Sequence, residues 1–332
     1  MNKKPCLLTT YVAGLKYQAF IPLLVYSCKS AYPDYDIMLF LHEELNGDVK
    51  KSLTDSGLMS QVMIKEKVFA QNKATFPASF AGSYRWVLWD EKFRDYKNVY
   101  IVDVDMFYVR EPKPLHIQHE ERMALTGLPF DNLMRRRRLQ KKTPHFILRR
   151  IKYAGFKNFF KFVRTPLDIR RLSGLHFVDV EKYYTEENLK YLDIIRQKLD
   201  GKYFPPEVLD SNDEALLYYI VTKMGYDCAK LGEQSNSTNS LSFEDNTRQE
   251  FRPHHGIHLG IFKNDYFENM NEDFQKAFKP ILDSDTYAYY VEYIRGLVRD
   301  ESFLSIYGHF AEIVKTYLKR MFHYYHIEIN EK

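Results

Sequence analysis

Two aspartates one residue apart, Asp103 and Asp105, interrupt an otherwise apolar run, Tyr100-Ile-Val-Asp-Val-Asp-Met-Phe-Tyr108. A carboxylate in such a run is expensive to bury, so a pair of them there needs a chemical reason. In a pleated strand, residues two apart point to the same side. At the C-terminal end of a parallel strand, that spacing holds two oxygen ligands side by side where open α/β sheets bind ligands. A hard divalent cation, Mn2+ or Mg2+, accepts both carboxylates together with phosphate oxygens of a substrate. The alternative is a solvated pair at a strand end, and an Asp-x-Asp alone does not choose between the two.

The elements that must position this pair read as alternating strands and helices. Short apolar or β-branched runs predict strands at residues 5–10, 37–41, 62–64, 98–106 and 175–180. Helical spacing falls at 17–29, around 48–56, at 79–93 and at 213–222. This alternation predicts an α/β domain on a mostly parallel sheet with flanking helices. From about residue 271 the chain turns aromatic and helical. Phe303, Ile306, Tyr307, Phe310, Ile313, Val314, Tyr317, Leu318 and Met321 make one stripe that reads as core packing. The expected division is a catalytic domain at 1–270, with a basic insertion at about 131–171, and a C-terminal helical extension at 271–332.

Around the Asp-x-Asp lie further segments in a definite order: Arg85-Trp86-Val87-Leu88-Trp89 upstream, then Ser173-Gly174-Leu175-His176, Ser211-Asn212-Asp213-Glu214, and His258-Leu259-Gly260-Ile261-Phe262-Lys263. This order resembles the GT-A glycosyltransferases, most closely the family 8 type related to glycogenins and bacterial lipopolysaccharide galactosyl- and glucosyltransferases. The resemblance covers roughly residues 5 to 265. It implies a Rossmann-like GT-A fold and transfer of a sugar from a nucleotide donor, UDP-hexose by preference, with retention of configuration. It also implies that Asp103, Asp105 and His258 hold Mn2+ (or Mg2+), with Asp103 facing the donor as well. Donor contacts fall to Arg85, to Ser173 and Gly174, to Gly260 and Lys263, and at the end of the first strand to Thr9, Thr10 and Tyr11, where Tyr11 would stack on the base. Asp213 takes the place of a carboxylate beside the anomeric carbon and is the catalytic candidate; a helix-capping role for it stays open. Two departures matter. The spacing here is His-x-Gly-x-x-Lys, one residue short of the family's pattern, which keeps His254 and His255 as rival ligands, and the residue after Asp213 is Glu214 where the family has glutamine.

The charge of the chain is concentrated. Residues 135–164 hold twelve basic residues and no acidic one, while the remainder carries 36 basic against 44 acidic residues. Within 145–164, Arg150, Lys157, Lys161 and Arg164 fall on one helical face and Ile147, Leu148, Ile151, Phe159, Phe162 and Val163 on the other. That is the pattern of an interfacial helix meeting an anionic membrane surface, and it fits a glycan or glycolipid acceptor presented there. Nucleic acid is the less favoured partner, since no zinc spacing, RNP-like motif or basic helix-turn-helix accompanies the basic run. Three cysteines, an odd number far apart, argue against a disulfide framework, and no run approaches the roughly 20 apolar residues of a spanning helix. The expected location is cytoplasmic, peripheral on the inner face of the cytoplasmic membrane if the basic segment engages it. Outside this reading stand an inverting GT-A transferase or nucleotidyltransferase, and a non-enzymatic membrane- or polyanion-binding protein.

Overall fold

Alternate residues of the first strand enter two different cores: Cys6, Leu8 and Val12 face one, Leu7 and Tyr11 the other. The second strand repeats the division, with Ile37, Leu39 and Leu41 on one side and Met38 and Phe40 on the other. A strand covered on both faces must be apolar at nearly every position, which explains the unbroken runs in the sequence. The structure, a computed structural model, describes residues 3–69, 81–139, 148, 167–201, 208, 213–236, 256–263 and 285–329.

In chain order the described strands are β1 (Lys4–Val12), β2 (Asp36–Leu41), β3 (Met63–Lys65), β4 (Tyr96–Ile101), β5 (Met106–Tyr108), β6 (Phe130–Asp131), β7 (Met134–Leu139), β8 (Leu167–Leu172), β9 (His176–Asp179), β10 (Glu233–Asn236) and β11 (Gly256–His258). The helices that matter below are α1 (Ile21–Ala31), α2 (Leu115–Thr126), α3 (Glu186–Asp200), α4 (Asp213–Lys223), α5 (Asp285–Leu297), α6 (Glu301–Gly308) and α7 (Glu312–Tyr324). The main sheet runs β3-β2-β1-β4-β9-β6; its first four strands are parallel, and β9 is antiparallel to both β4 and β6. Two small sheets flank it, β10-β7-β8 and β11-β5. This is the mixed α/β architecture the sequence predicts.

One core lies between the sheet and α1, α5, α6 and α7; the other lies between the sheet and α3, α4 and the segment after residue 81. The aromatic C-terminal stripe therefore packs into the same core as α1 and β1. It is carried by two helices, α6 and α7, with a break at residues 309–311.

Two predicted elements differ. Of the expected helix at 79–93, residues 79–80 lie outside the described residues and Ala81 is helical; the rest holds two short 3-10 stretches, Gly82–Val87 and Glu91–Asp95, with Leu88 extended after the first and Asp90 capping the second through a bond from the Lys92 amide. Ser83 to Val87 are all buried, so this segment fills a gap between elements instead of resting one face on the sheet. The expected strand at 98–106 ends at Ile101 and resumes as β5. Between the two, residues 102–105 turn out of the sheet after the Val102 amide bonds the Thr9 carbonyl at 2.9 Å. The two aspartates thus sit in a turn at the C-terminal end of β4, and no strand pleat holds them. The basic run opens in β7, which pairs antiparallel with β8; the predicted amphipathic helix at 145–164, apart from Leu148, lies outside the described residues, as do His254, His255, Ser211 and Asn212.

Candidate active site

Leaving the sheet at residue 102 frees the two carboxylates to find separate neighbours. Asp103 accepts a hydrogen bond from Arg85 Nη1, and Arg85 Nη2 donates to Asp213. One guanidinium therefore bridges a carboxylate of the turn after β4 to a carboxylate 110 residues later in the chain, the first residue of α4. A planar guanidinium is suited to this, because its donors diverge in a fixed fork. Its charged end lies over the Trp86 ring, 4.2 Å from the centroid, and the residue is buried. Burial alone would weaken the charge on Arg85, but Asp103 and then Asp213 outweigh it and hold the group firmly protonated.

Asp105 pairs elsewhere. The antiparallel register of β11 with β5 sets His258 opposite Met106, next along the chain from Asp105, and the Leu259 amide bonds the Asp105 carbonyl at 2.9 Å. This brings His258 Nε2 to 3.2 Å from Asp105 Oδ1. Burial disfavours charge on both groups, yet their mutual attraction prevails: the imidazole rises to about 9 and the carboxyl falls below the usual carboxylate range.

Two glycines make room for this arrangement. A Cβ on Gly174 would stand 2.8 Å from Asp103 Oδ2 and 3.1 Å from Arg85 Nη2. On Gly260 it would stand 2.8 Å from His258 Nε2 and 3.0 Å from Asp105 Oδ2. All four distances are tighter than ordinary contact, so glycine at each place is tied to the ion pairs beside it.

Arg85, Asp103, Asp105 and Asp213 line one wall of a cavity of about 340 Å³ at the C-terminal end of β1 and β4. Thr10, Tyr11 and Tyr17 lie on other parts of its wall. Tyr11 packs its ring against Phe69 and Tyr84 and holds His42 Nδ1 and the Val68 carbonyl with its hydroxyl, 2.7 and 2.9 Å away. Thr9 turns inward, donating to the Met38 carbonyl at 2.8 Å, and it is Thr10 that reaches the cavity. Ser173 is buried, and its hydroxyl donates to Asn132 Oδ1 at 2.9 Å. Asn132, to which the sequence gives no pointer, is the hub of this corner: it also accepts from the amides of Leu133 and Ser173 and donates to the Leu175 carbonyl, and so fixes the turn carrying Gly174. Lys263 is exposed at the end of the turn that follows His258.

Asp105 and His258 offer one oxygen and one nitrogen donor, and the space opposite Gly260 is kept clear for them. In kind, these donors fit Mn2+ or Mg2+. Asp103 is engaged by Arg85, and among the described residues no three acidic, histidine or cysteine side chains surround a common point. Arg85 takes Asp103 Oδ1, so a cation held by Asp103 would either share that carboxylate with Arg85 or displace it.

No known sequence-family profile matches the chain, and no curated protein sequence is significantly similar to it. Among solved structures the chain is similar to the bifunctional glycosyltransferase WbbM (13% identity, TM-score 0.36, 66% of this chain and 38% of that one). It is similar to the galactosyltransferase LgtC solved with donor and acceptor sugar analogues (12%, 0.35, 69% and 72%). It is similar also to core-mannan synthase A of Aspergillus fumigatus in its Mn/GDP form (10%, 0.37, 66% and 70%). The chain thus spans little more than a third of WbbM.

Proposed function

We propose that the chain is a metal-dependent glycosyltransferase of GT-A type, transferring a hexose from a UDP-sugar to a glycan or glycolipid acceptor with retention of configuration. One observation carries this reading: Arg85 is held between Asp103 and Asp213 on the wall of a cavity at the C-terminal end of the parallel strands, with the Asp105–His258 pair beside it. Open α/β sheets bind their ligands at that end.

The residues divide the work by position. Asp103, Asp105 and His258 would hold Mn2+ or Mg2+, which supplies charge neutralisation for a diphosphate. Arg85 sets the distance between the metal-side and sugar-side carboxylates, and is freed toward the donor when Asp103 turns away. Asp213, partly exposed to the cavity, presents a negative charge where positive charge develops on the departing sugar carbon. Lys263 lies close enough in sequence to His258 to assist the leaving group. Tyr11 and Thr10 supply the wall for the base. Glycine at 174 lets the sugar-side backbone approach. The basic segment 135–164 is the part of the chain suited to an anionic membrane surface or acceptor. Among the described residues no helix is long and apolar enough to cross a membrane.

Calorimetric titration of UDP with and without Mn2+ tests this. Binding that requires Mn2+ and is lost in Asp105→Ala, with the thermal transition retained, is the expected result; UDP affinity unchanged by that substitution refutes the metal assignment.

A further inference from the structure

The turn that carries His258 is anchored from two sides, and the second anchor is far from everything the sequence marks as chemical. On one side, the Leu259 amide bonds the Asp105 carbonyl. On the other, Arg320 of α7 donates from Nη1 to the Lys263 carbonyl at 2.9 Å and to the Phe262 carbonyl at 3.3 Å. Both carbonyls stand at the end of the short 3-10 turn Leu259–Phe262, where backbone acceptors run out of internal donors. Phe262 is itself fully buried, edge-on to the rings of Tyr324 and Tyr325 at 6.3 and 6.4 Å.

The same helix is packed into the core beside α1. Tyr317, one turn before Arg320, is buried against Phe20 with ring centroids 5.2 Å apart. Its phenol is raised by burial and next by the charge of Asp105, as is that of Tyr17 on the cavity wall. Helix α7 therefore meets the 259–263 turn through Arg320 and Tyr324, and that turn is itself bonded to the Asp105 carbonyl. The spacing there has little slack, because the Cβ position of Gly260 lies within 3.0 Å of both His258 Nε2 and Asp105 Oδ2. A shift of the turn by a few tenths of an ångström must alter how His258 and Asp105 face a common cation.

We propose that α7 is a working part of the cation-binding half of the site and that Arg320 is the positioning residue that sets His258 against Asp105. This rests on the metal-dependent reading above. Arg320 touches neither donor nor metal; it fixes two carbonyls of the turn, which fixes the imidazole. Residues that orient a metal ligand from behind typically change metal affinity by about 10–100-fold when removed.

The test uses the full chain and two variants, Arg320→Ala and Arg320→Lys, with two readouts. Hydrogen exchange of the amides of residues 256–263, measured without metal, reports the clamp whatever the chemistry of the site. Electron paramagnetic resonance of free Mn2+, titrated in the presence of UDP, reports cation affinity without turnover. Arg320→Ala is expected to exchange faster across 256–263 and to weaken Mn2+ binding by about tenfold or more. Arg320→Lys, which keeps a charge but carries its donor on a more flexible stem, is expected to fall between it and the wild type. Wild-type exchange and wild-type Mn2+ affinity in both variants overturn the proposal while leaving the donor-site reading in place. A wild-type chain that leaves all Mn2+ free overturns that reading, and the metal role of Arg320 with it. Should Arg320→Ala fail to fold, Arg320→Lys decides by the same readouts: faster exchange with weaker Mn2+ binding supports the proposal, and wild-type behaviour in both overturns it.

Discussion

Among the described residues two clusters are built from the same three residue types, and one of them lines a cavity while the other is closed into the core. On β6 and α2, Asp131 accepts from Arg122 Nε at 3.1 Å and pairs with His119 Nδ1 at 2.8 Å; its side chain is 0% exposed, and the His119 ring stacks on Phe177 at 4.4 Å. At the end of β4, Arg85, Asp103, Asp213, Asp105 and His258 form a similar set of pairs. There the side chains of Asp103, Asp213 and His258 remain 27%, 21% and 30% exposed, and Arg85, Asp103, Asp105 and Asp213 line the cavity. Arginine, aspartate and histidine in contact are therefore not a site by themselves. Space and glycine cut-outs distinguish a group of charges that can exchange neighbours from one locked into the core.

The comparison breaks most sharply at Asp213. Asp213→Ala should lower sugar transfer by about 100- to 1,000-fold, the usual cost of removing a group that stabilises transition-state charge, while UDP affinity and thermal stability stay near wild type. Equal losses in turnover and stability would place Asp213 with the locked cluster. Asp131→Ala should do the reverse: about 3–5 kcal/mol of stability lost, because His119 and Arg122 are left buried without their carboxylate, with Mn2+-dependent UDP binding preserved in the folded fraction. Denaturant unfolding measures the first and calorimetry the second. Gly174→Ala should fall between these, lowering turnover by about 10–100-fold through displacement of Asp103 and Arg85, with a small change in melting temperature; normal turnover would show that the corner yields. Ser173→Ala should have the smallest effect, about 1 kcal/mol of stability and no change in UDP affinity, because its hydroxyl serves Asn132. A large loss of donor binding there would instead support the donor contact that the resemblance implies for Ser173.

Much of this was legible in the sequence, for reasons that differ by element. Strands β1, β2 and β4 show as apolar runs because both faces are buried, and the Asp-x-Asp shows because carboxylates are out of place beside them. The sequence could not show that residues 102–105 leave the sheet, since the break depends on β5 turning away to pair with β11. Nor could it show that Asp103 and Asp105 take different neighbours, or that Arg85 ties Asp103 to Asp213, because those contacts exist only after the sheet, the 3-10 segment and α4 have met. The resemblance marks Thr9 and Thr10 alike; that Thr10 lines the cavity while Thr9 bonds the Met38 carbonyl is a one-residue difference in facing that a short polar pair does not reveal. Asn132 was hidden for a related reason: a lone asparagine in a loop carries no pattern, and its importance comes from the carbonyls and amides that converge on it. Strand register brings His258 to Asp105; its rivals His254 and His255 lie outside the described residues.

The most direct measurement of the central claim is anomalous scattering at the manganese edge from a crystal grown or soaked with Mn2+ and UDP. A single strong peak among Asp103, Asp105 and His258, with Asp103 turned from Arg85 to the cation and the diphosphate beside it, is the predicted result. A peak elsewhere, or UDP seated in the cavity with Arg85 still bridging Asp103 and Asp213 and no manganese between them, would contradict it.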